Sequence, residues 1–352
     1  MKALAGPWFL NYSNMLKYVW HIHNHIWYSS GISADQQSYW MNYHAQRIGD
    51  FVVLFSDYSK YDVTQGVTCI GREHDHYREL GFCDEYWGEP YLKAAASSRV
   101  YYKDMMWQVK GTRKSGDLNT SSGNTKNTGE AVWSWWARSC RGTTINPEDT
   151  IAVAALGDDN YSLINKSAIL HIFKDYNEAK LDFESWQRAL GYRAVGGITE
   201  NPMEGEYLSL RFYPVDGQYV VGKKPGRCLV KIGAMLYSSH RPEKVWLELL
   251  NGTLKSYRAT SMHVPFLRKY VSVMTEKLSA LETRFGDDAK YRMTGTEREP
   301  ADDTWDSFVE LYGPSCDREA EKDFERQLRQ RPLKWIHSSA AVDLMFAVDS
   351  AM

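Results

Sequence analysis

The sequence predicts an α+β fold, and three observations predict it. Two continuous apolar runs rich in β-branched and small residues, Phe51–Phe55 and Ile151–Leu156, read as buried strands. Between Lys174 and Leu190, Tyr176, Ala179, Phe183 and Trp186 recur at spacings of three and four, the period of an amphipathic helix. From about Gly233 onward the pattern is mostly helical. At 352 residues the chain has room for a large core and two or three subdomains, and an aromatic content of 14% excludes a disordered chain. A net charge of −2 means that any nucleic-acid surface is local. Cys69, Cys83, Cys140, Cys228 and Cys316 are odd in number and widely spaced, with no C-x-x-C. That argues against a disulfide framework or a zinc site and fits a reducing compartment. Met1–Leu10, interrupted by Gly6-Pro7, is too short for a signal peptide, and no apolar run approaches the roughly 20 residues of a membrane span.

Taken in order, residues 1–50 are aromatic-rich and mixed in pattern, with loop signals at Asn11–Asn14 and Ser29–Ser33. His21, His23 and His25 alternate and would share one face of a strand. Imidazole is a common metal ligand, but the flanks Trp20, Ile22, Ile26 and Trp27 and the lack of a nearby carboxylate or cysteine argue for packing. Phe51–Phe55 runs into Ser56-Asp57-Tyr58-Ser59-Lys60-Tyr61-Asp62, a strand ending in carboxylates. Asp62 is placed to N-cap a helix reaching about Leu80. His74-Asp75-His76 lies on that helix and reads as solvated surface, because adjacent and i+2 residues do not share a helix face. Residues 81–110 are irregular and aromatic, ending in the strand-like Met105–Val109. The basic, flexible Lys110-Gly111-Thr112-Arg113-Lys114 then leads into Ser115–Asn124, a polar loop with glycines. That loop is held between the strand and a helix of about Asn124–Cys140, with Trp133, Trp136 and Cys140 on one face.

Ile151–Leu156 ends in Gly157-Asp158-Asp159. The glycine frees the turn, and two adjacent carboxylates at the end of a dry strand repel unless a cation sits with them. Hard oxygen ligands of this kind suit Mg²⁺ or Mn²⁺. Asn160 reads as a turn residue without further role. A second Gly-Asp-Asp, Gly286–Asp288, follows Leu278, Leu281 and Phe285 on an amphipathic helix over Lys277–Arg284 and reads as a helix exit. Gly191 closes the 174–190 helix, and strand-like pieces follow at Tyr192–Val195, Tyr207–Tyr213 and Tyr219–Val221. Lys223, Lys224, Arg227 and Lys231 then cluster with no acid among them. Glu297–Asp303 is a polar break containing Pro, Asp317–Arg331 a highly charged helix, and no tandem repeat is visible.

If the two strands are neighbours, Asp57, Asp158 and Asp159 meet at one rim. That is the arrangement two-metal phosphoryl transfer requires. The polar loop at 115–124 would then bind a sugar or base, and the basic clusters at 110–114 and 223–231 would hold phosphates.

Asp57-x4-Asp62, Ser115-Gly-x3-Thr120-x3-Asn124 and Gly157-Asp158-Asp159, in that order, resemble motifs A, B and C of RNA virus RNA-directed RNA polymerases. The wording Ser-Gly-Asp-x-Asn-Thr-Ser-x-Gly-Asn is most similar to the tombusvirus- and nodavirus-like positive-strand groups. Tyr207–Pro214 resembles their motif E region, and Lys224–Lys231 the basic segment leading into the thumb; the resemblance covers about residues 50–235. It implies a right-hand polymerase fold with an antiparallel-sheet palm, a partial fingers part and a helical thumb. The implied parts are partial fingers at 1–50, palm with motif A at 51–80, a fingers insertion at 81–110, palm with motifs B to E at 111–232, and thumb at 233–352.

The resemblance further implies that Asp57 and Asp158, supported by Asp159, hold two Mg²⁺ or Mn²⁺ ions. Asp62 and Asn124 would read the ribose 2′-hydroxyl in a pocket shaped by Ser115 and Thr120. A hydroxyl that donates and accepts is addressed by a carboxylate plus an amide. Lys174, Lys180 and Arg193 compete as the motif D general acid, and Arg193, past the helix, is favoured. Arg113, Lys114, Lys223, Lys224, Arg227 and Lys231 would contact RNA or triphosphate. The implied partners are an RNA template, its product strand and nucleoside triphosphates. The implied location is the host-cell cytoplasm in a viral replication complex, with any membrane association carried by other chains. The chain departs from the pattern before motif A: residues 1–50 hold Lys2, Lys17 and Arg47 but no basic cluster resembling motif F of the fingers. A partial open reading frame or a separate polypeptide supplying that part is therefore expected. A reverse transcriptase would share the palm carboxylates, but Gly157 and the Asn124 loop point to RNA synthesis. A non-catalytic RNA-binding replication subunit fits the missing basic segment, but it has no need of three clustered acids.

Overall fold

The computed structural model describes residues 2–236, 243–281, 295–332 and 339–351; Gly286–Asp288 lies outside them. The chain divides into two compact units, one of Met1–Ser30 and Tyr43–Asn201, the other of Gly31–Asn42 and Pro202–Met352. In the first unit α1 (Lys2–Val19) runs straight through Gly6-Pro7. The proline, sixth residue of the helix, has no N–H to give to the Ala3 carbonyl four residues back. His21–His25 is not a strand; it forms the turn before β1 (Ile26–Tyr28). Then come α2 (Ala34–Ile48), through which the division passes, and β2 (Phe51–Tyr58), which carries Asp57 within the strand.

The single helix expected from Asp62 to Leu80 is two: α3 (Tyr61–Thr64) and α4 (Val67–Glu79). Gly66 is extended, with φ −70° and ψ 179°, and the Gln65 carbonyl accepts from Thr112 N at 2.8 Å instead of continuing a helical ladder. Lys60, left-handed at φ 52°, takes the N-cap position expected of Asp62. The 74–76 segment is not all solvated either. α4 buries Ile70, Glu73, His74 and Tyr77, a helical face at spacings of three and four whose polar letters conceal it in the sequence. Residues 81–110 are more regular than expected, with α5 (Gly88–Ala96) and a hairpin of β3 (Ser97–Tyr102) and β4 (Met105–Lys110).

α6 (Thr120–Ser139) starts four residues before the expected Asn124, so half of the presumed loop is helix. The short α7 (Pro147–Thr150) leads into β5 (Ile151–Leu156) and β6 (Asp159–Asn165). After them come α8 (Lys166–Ile172), α9 (Tyr176–Ala189) and β7 (Ala194–Thr199). The five strands form one sheet in the order β1-β5-β6-β2-β7. Every pairing is antiparallel except β1 with β5, a parallel edge that the expected antiparallel sheet lacks. Trp135, Trp136 and Phe183 are fully buried against Val52, Leu54, Val153 and Ile164 of the sheet. Aromatics of this size remove on the order of 5 kcal/mol of unfavourable hydration each.

The second unit opens on the hairpin β8 (Leu210–Val215) and β9 (Gln218–Lys223), the strand-like pieces read from the sequence. Its turn is Asp216-Gly217, with φ 51° and 73°, the left-handed pair a two-residue hairpin favours. Helices follow: α10 (Pro225–Leu236), α11 (Glu243–Ser261), α12 (Leu267–Ser279), α13 (Asp302–Tyr312), α14 (Arg318–Gln330) and α15 (Ala340–Ser350). They close over a core that includes Tyr213, Leu254, Phe266, Phe308, Tyr312 and Phe324. Among the described residues no helix is long and apolar enough to cross a membrane.

His44 on α2 gives the first unit a pH dependence. Arg47 Nε donates to its Nδ1 at 3.1 Å, so Nε2 carries the proton and donates to the Ile22 carbonyl at 2.9 Å. Burial pushes its pKa from 6.5 to about 4. The unfolded chain therefore binds the extra proton first, and stability is lost as pH falls from about 6.5 toward 4. The expected loss is roughly 3 kcal/mol. Urea melts at several pH values should show this slope in the wild type and a flatter one in His44→Gln.

Candidate active site

The rim of the sheet is built by register. Leu156 of β5 pairs with Asp159 of β6, leaving Gly157 and Asp158 as a two-residue turn. Gly157 has φ +66°, which an L side chain adopts only with strain. Its N–H donates to Thr125 Oγ1 at 2.8 Å, tying the turn to α6. On the neighbouring strand Ser56 pairs with Asn160, so Asp57, one residue on, stands at the same end of the sheet as Asp158 and Asp159. Asp57, Asp158 and Asp159 are exposed at this rim. Burial of the surroundings pushes the Asp158 carboxyl up, and the charges of Asp62 and Asp57 push it further. Asn160 is not a bare turn residue: it lies on β6, buried, and its Nδ2 donates to Ser56 Oγ at 2.6 Å.

The expected sugar-reading residues come together. Ser115 Oγ donates to Asp62 Oδ2 at 2.7 Å, and Asn124 Nδ2 donates to Asp62 Oδ1 at 2.9 Å. Thr120 Oγ1 donates to the Lys114 carbonyl at 2.7 Å. The backbone delivers this meeting: Arg113 N donates to the Asp62 carbonyl at 2.8 Å, laying the segment before Ser115 along α3. Asn124 sits on α6 behind Thr120, one turn on, and is held from behind by Gln65 and Arg113. A cleft of about 820 Å³ lies in front, lined by Lys60, Tyr61, Asp62, Thr120, Ser121, Asn124, Gly157 and Asp158.

The basic residues divide. Arg113 is buried and its guanidinium bonds both oxygens of Glu73, so it belongs to the interior and not to a phosphate-facing surface. Lys224 is likewise buried, its ammonium on Glu206, which Arg227 also reaches at 3.4 Å. The cluster that lacks acids in sequence receives one from the fold. Lys223 stands 4.7 Å over the Tyr257 ring, and Lys231 is exposed. Lys114 donates to the carbonyls of Ala94 and Ala95 at 2.6 and 2.8 Å. Arg193 is exposed, and its carbonyl accepts from Ser59 N at 2.9 Å, so the segment entering β7 lies beside the end of β2. Sequence reasoning missed Gln65, Glu73, Thr125 and Lys60: each acts through a partner distant in the chain, or through a left-handed turn no motif marks.

A family model described as RNA dependent RNA polymerase matches residues 1–185, more than half of the chain. The chain belongs to the RNA-dependent RNA polymerase family. It is similar to the solved RNA-dependent RNA polymerase of a human picorbirnavirus, at 16% identity and a TM-score of 0.54, covering 79% of this chain and 50% of that one. An insertion loop deletion mutant of such a human picorbirnavirus polymerase matches at 14% identity and a TM-score of 0.56, over 79% of this chain and 53% of that one. These likenesses carry the right-hand polymerase fold. The chain spans about half the length of the solved polymerases it matches. No curated protein matches it. The family is thus what the matches establish; the tombusvirus- and nodavirus-like groups remain a resemblance in the wording of motif B.

Polymerases of this family use divalent metal ions. Among the described residues no group of three or more His, Cys, Asp or Glu is gathered tightly enough to hold one. The donor chemistry nevertheless fits: hard carboxylate oxygens stand at one rim, with the Asp158 carboxyl raised by burial and then by the charges of Asp62 and Asp57, a field that a cation relieves. Removing one neighbouring charge should be visible directly. In Asp62→Asn the Asp158 carboxyl should titrate at lower pH than in the wild type, read by a carboxylate-carbon NMR titration without metal; an unmoved midpoint would separate the two groups.

Proposed function

We propose that this chain carries the catalytic centre of a viral RNA-directed RNA polymerase. In the proposed reaction an RNA 3′-hydroxyl attacks the α-phosphate of a template-paired nucleoside triphosphate and pyrophosphate leaves. What supports the reading is one arrangement: a cleft lined by Asp62, Thr120, Asn124, Gly157 and Asp158, with Asp158 in the field of Asp62 and Asp57. Asp57 and Asp158, with Asp159 supporting, would hold two ions, Mg²⁺ or Mn²⁺. Bound ions lower the pKa of an attacking hydroxyl and neutralise charge on the transferred phosphate. Asp62 would accept from the 2′-hydroxyl while Asn124 donates to it, with Ser115 steadying Asp62. Arg193, beside the end of β2, is the proposed proton donor to pyrophosphate. Lys223 and Lys231, and Lys114 through the N–H its bonds to the Ala94 and Ala95 carbonyls leave, are the cations proposed for RNA or triphosphate, with Arg113, Lys224 and Arg227 in ion pairs.

In this reading residues 1–50 are partial fingers, 51–80 and 111–232 palm, 81–110 a fingers insertion and 233–352 thumb. Template, product strand and nucleoside triphosphates are the proposed partners, with a separate polypeptide contributing the basic fingers segment. The proposed site of action is a replication complex in the host cytoplasm.

Primer extension on an RNA template with Mg²⁺ tests the reaction. Asp158→Ala should lower it at least about 100-fold, the scale of losing a charge-stabilising group. Synthesis retained in that variant refutes the assignment. Asn124→Asp and Asp62→Ala should each cut the preference for ribo- over deoxyribonucleotides by ~100-fold or more, because a site built to bond a hydroxyl rejects its absence strongly. A preference left intact in both removes the sugar-reading role.

A further inference from the structure

We propose that buried Gln65, Arg113 and Glu73 fix Asn124 in the one amide orientation that can read a ribose 2′-hydroxyl, so that sugar choice depends on residues that never touch the nucleotide. The inference rests on the reading of Asp62 and Asn124 as sugar contacts.

The argument starts from the guanidinium. Arginine has five N–H donors and no acceptor, so each side-chain atom it bonds here is an oxygen. Arg113 Nε lies 2.9 Å from Asn124 Oδ1 and 3.2 Å from Gln65 Oε1, and Nη2 lies 2.8 Å from Gln65 Oε1. Both amides are thereby oriented, oxygen toward Arg113. The Gln65 Nε2 then faces Asn124 Oδ1 and donates to it at 2.6 Å. With Arg113 and Gln65 both donating to it, Asn124 Oδ1 has its accepting capacity filled. Asn124 Nδ2 must face the cleft, where it gives one N–H to Asp62 Oδ1 at 2.9 Å and has a second to offer. The pocket therefore presents a donor beside a carboxylate, the complement of a hydroxyl that accepts once and donates once. A flipped Asn124 would aim its N–H groups at the guanidinium and its oxygen at Asp62, repelling at both ends.

Arg113 is itself immobilised. Nη1 reaches Glu73 Oε1 at 2.9 Å and Nη2 bonds Glu73 Oε2. Glu73 also accepts from Asn119 Nδ2 at 2.7 Å and from the Tyr77 hydroxyl. Gln65 and Glu73 are 0% and 2% exposed, Arg113 and Asn124 5% each. Gly123 makes room for the pair: a Cβ there would stand 2.6 Å from Glu73 Oε1 and 2.9 Å from Arg113 Nη2.

The test compares kcat/KM for a ribonucleoside triphosphate and its 2′-deoxy counterpart in the full-length protein. Gln65→Met removes one donor from Asn124 and leaves the ion pair. Gln65→Met with Arg113→Lys removes both donors and keeps a cation for Glu73. The ribo-to-deoxyribo ratio should fall partway in the single variant and about tenfold or more in the double, the scale of a lost buried hydrogen bond. The loss should lie in the ribonucleotide, with the deoxyribonucleotide little changed. Should the double variant not fold by circular dichroism, the single variant decides. An equal fall for both nucleotides, or an unchanged ratio, overturns the proposal if Asp62→Ala still changes the ratio. If Asp62→Ala leaves it unchanged too, the sugar-reading assignment falls and this proposal falls with it.

Discussion

A carboxylate and a guanidinium sealed from water organise the first unit of this chain. Glu73 comes from α4, Arg113 from the segment after the β3-β4 hairpin, and Asn119, which also holds Glu73, stands at the start of α6. Removing one partner of such a pair costs about 3–5 kcal/mol, because the other charge is left buried alone. Desolvation offsets much of the attraction, so the pair is weak evidence of net stability, but its contact ties α4 to the segment before α6. Arg113 also ties the segments on either side of it: its backbone N–H meets the Asp62 carbonyl and its side chain meets Asn124.

The opposite electrostatic condition holds at the sheet rim. Register places Asp57 and the Gly157-Asp158 turn at one end of the sheet, and among the described residues no cation pairs with the Asp158 carboxyl, which burial and like charge push toward its neutral form. The interior satisfies its charges within the chain. The rim leaves carboxylates facing a cleft, the condition under which a divalent cation is the favourable partner.

Legibility followed the source of each element's stability. β5 was readable because Ile151–Ala155 is buried on both faces and a continuous apolar run has one strong explanation. α9 was readable because its apolar face repeats with the helical period. The start of α6 was not, since Ser and Asn side chains bond the backbone locally and Gly loses the most backbone entropy in a helix, so all three favour turns. Here Asn119, just before the helix, and Thr120 and Asn124 within it bond Glu73, the Lys114 carbonyl and Asp62 instead. His74 misread for a related reason: a buried face carrying Glu and His does not register as apolar. Arg113 and Lys224 looked like phosphate ligands because a basic cluster in sequence says nothing of the distant acids, Glu73 and Glu206, that the fold brings to it.

The sequence by itself determined the α+β class, the strand–turn unit that presents Asp158, and the motifs that resemble those of polymerases, because these rest on short-range periodicity and on residues that lie close along the chain. Tertiary structure alone decided that Ser115, Asn124 and Asp62 share hydrogen bonds, which of the basic residues are held in ion pairs, and which way the Asn124 amide points. Those outcomes depend on donors and acceptors separated by tens of residues, and only burial, which leaves every polar group in need of a partner, makes one pairing prevail.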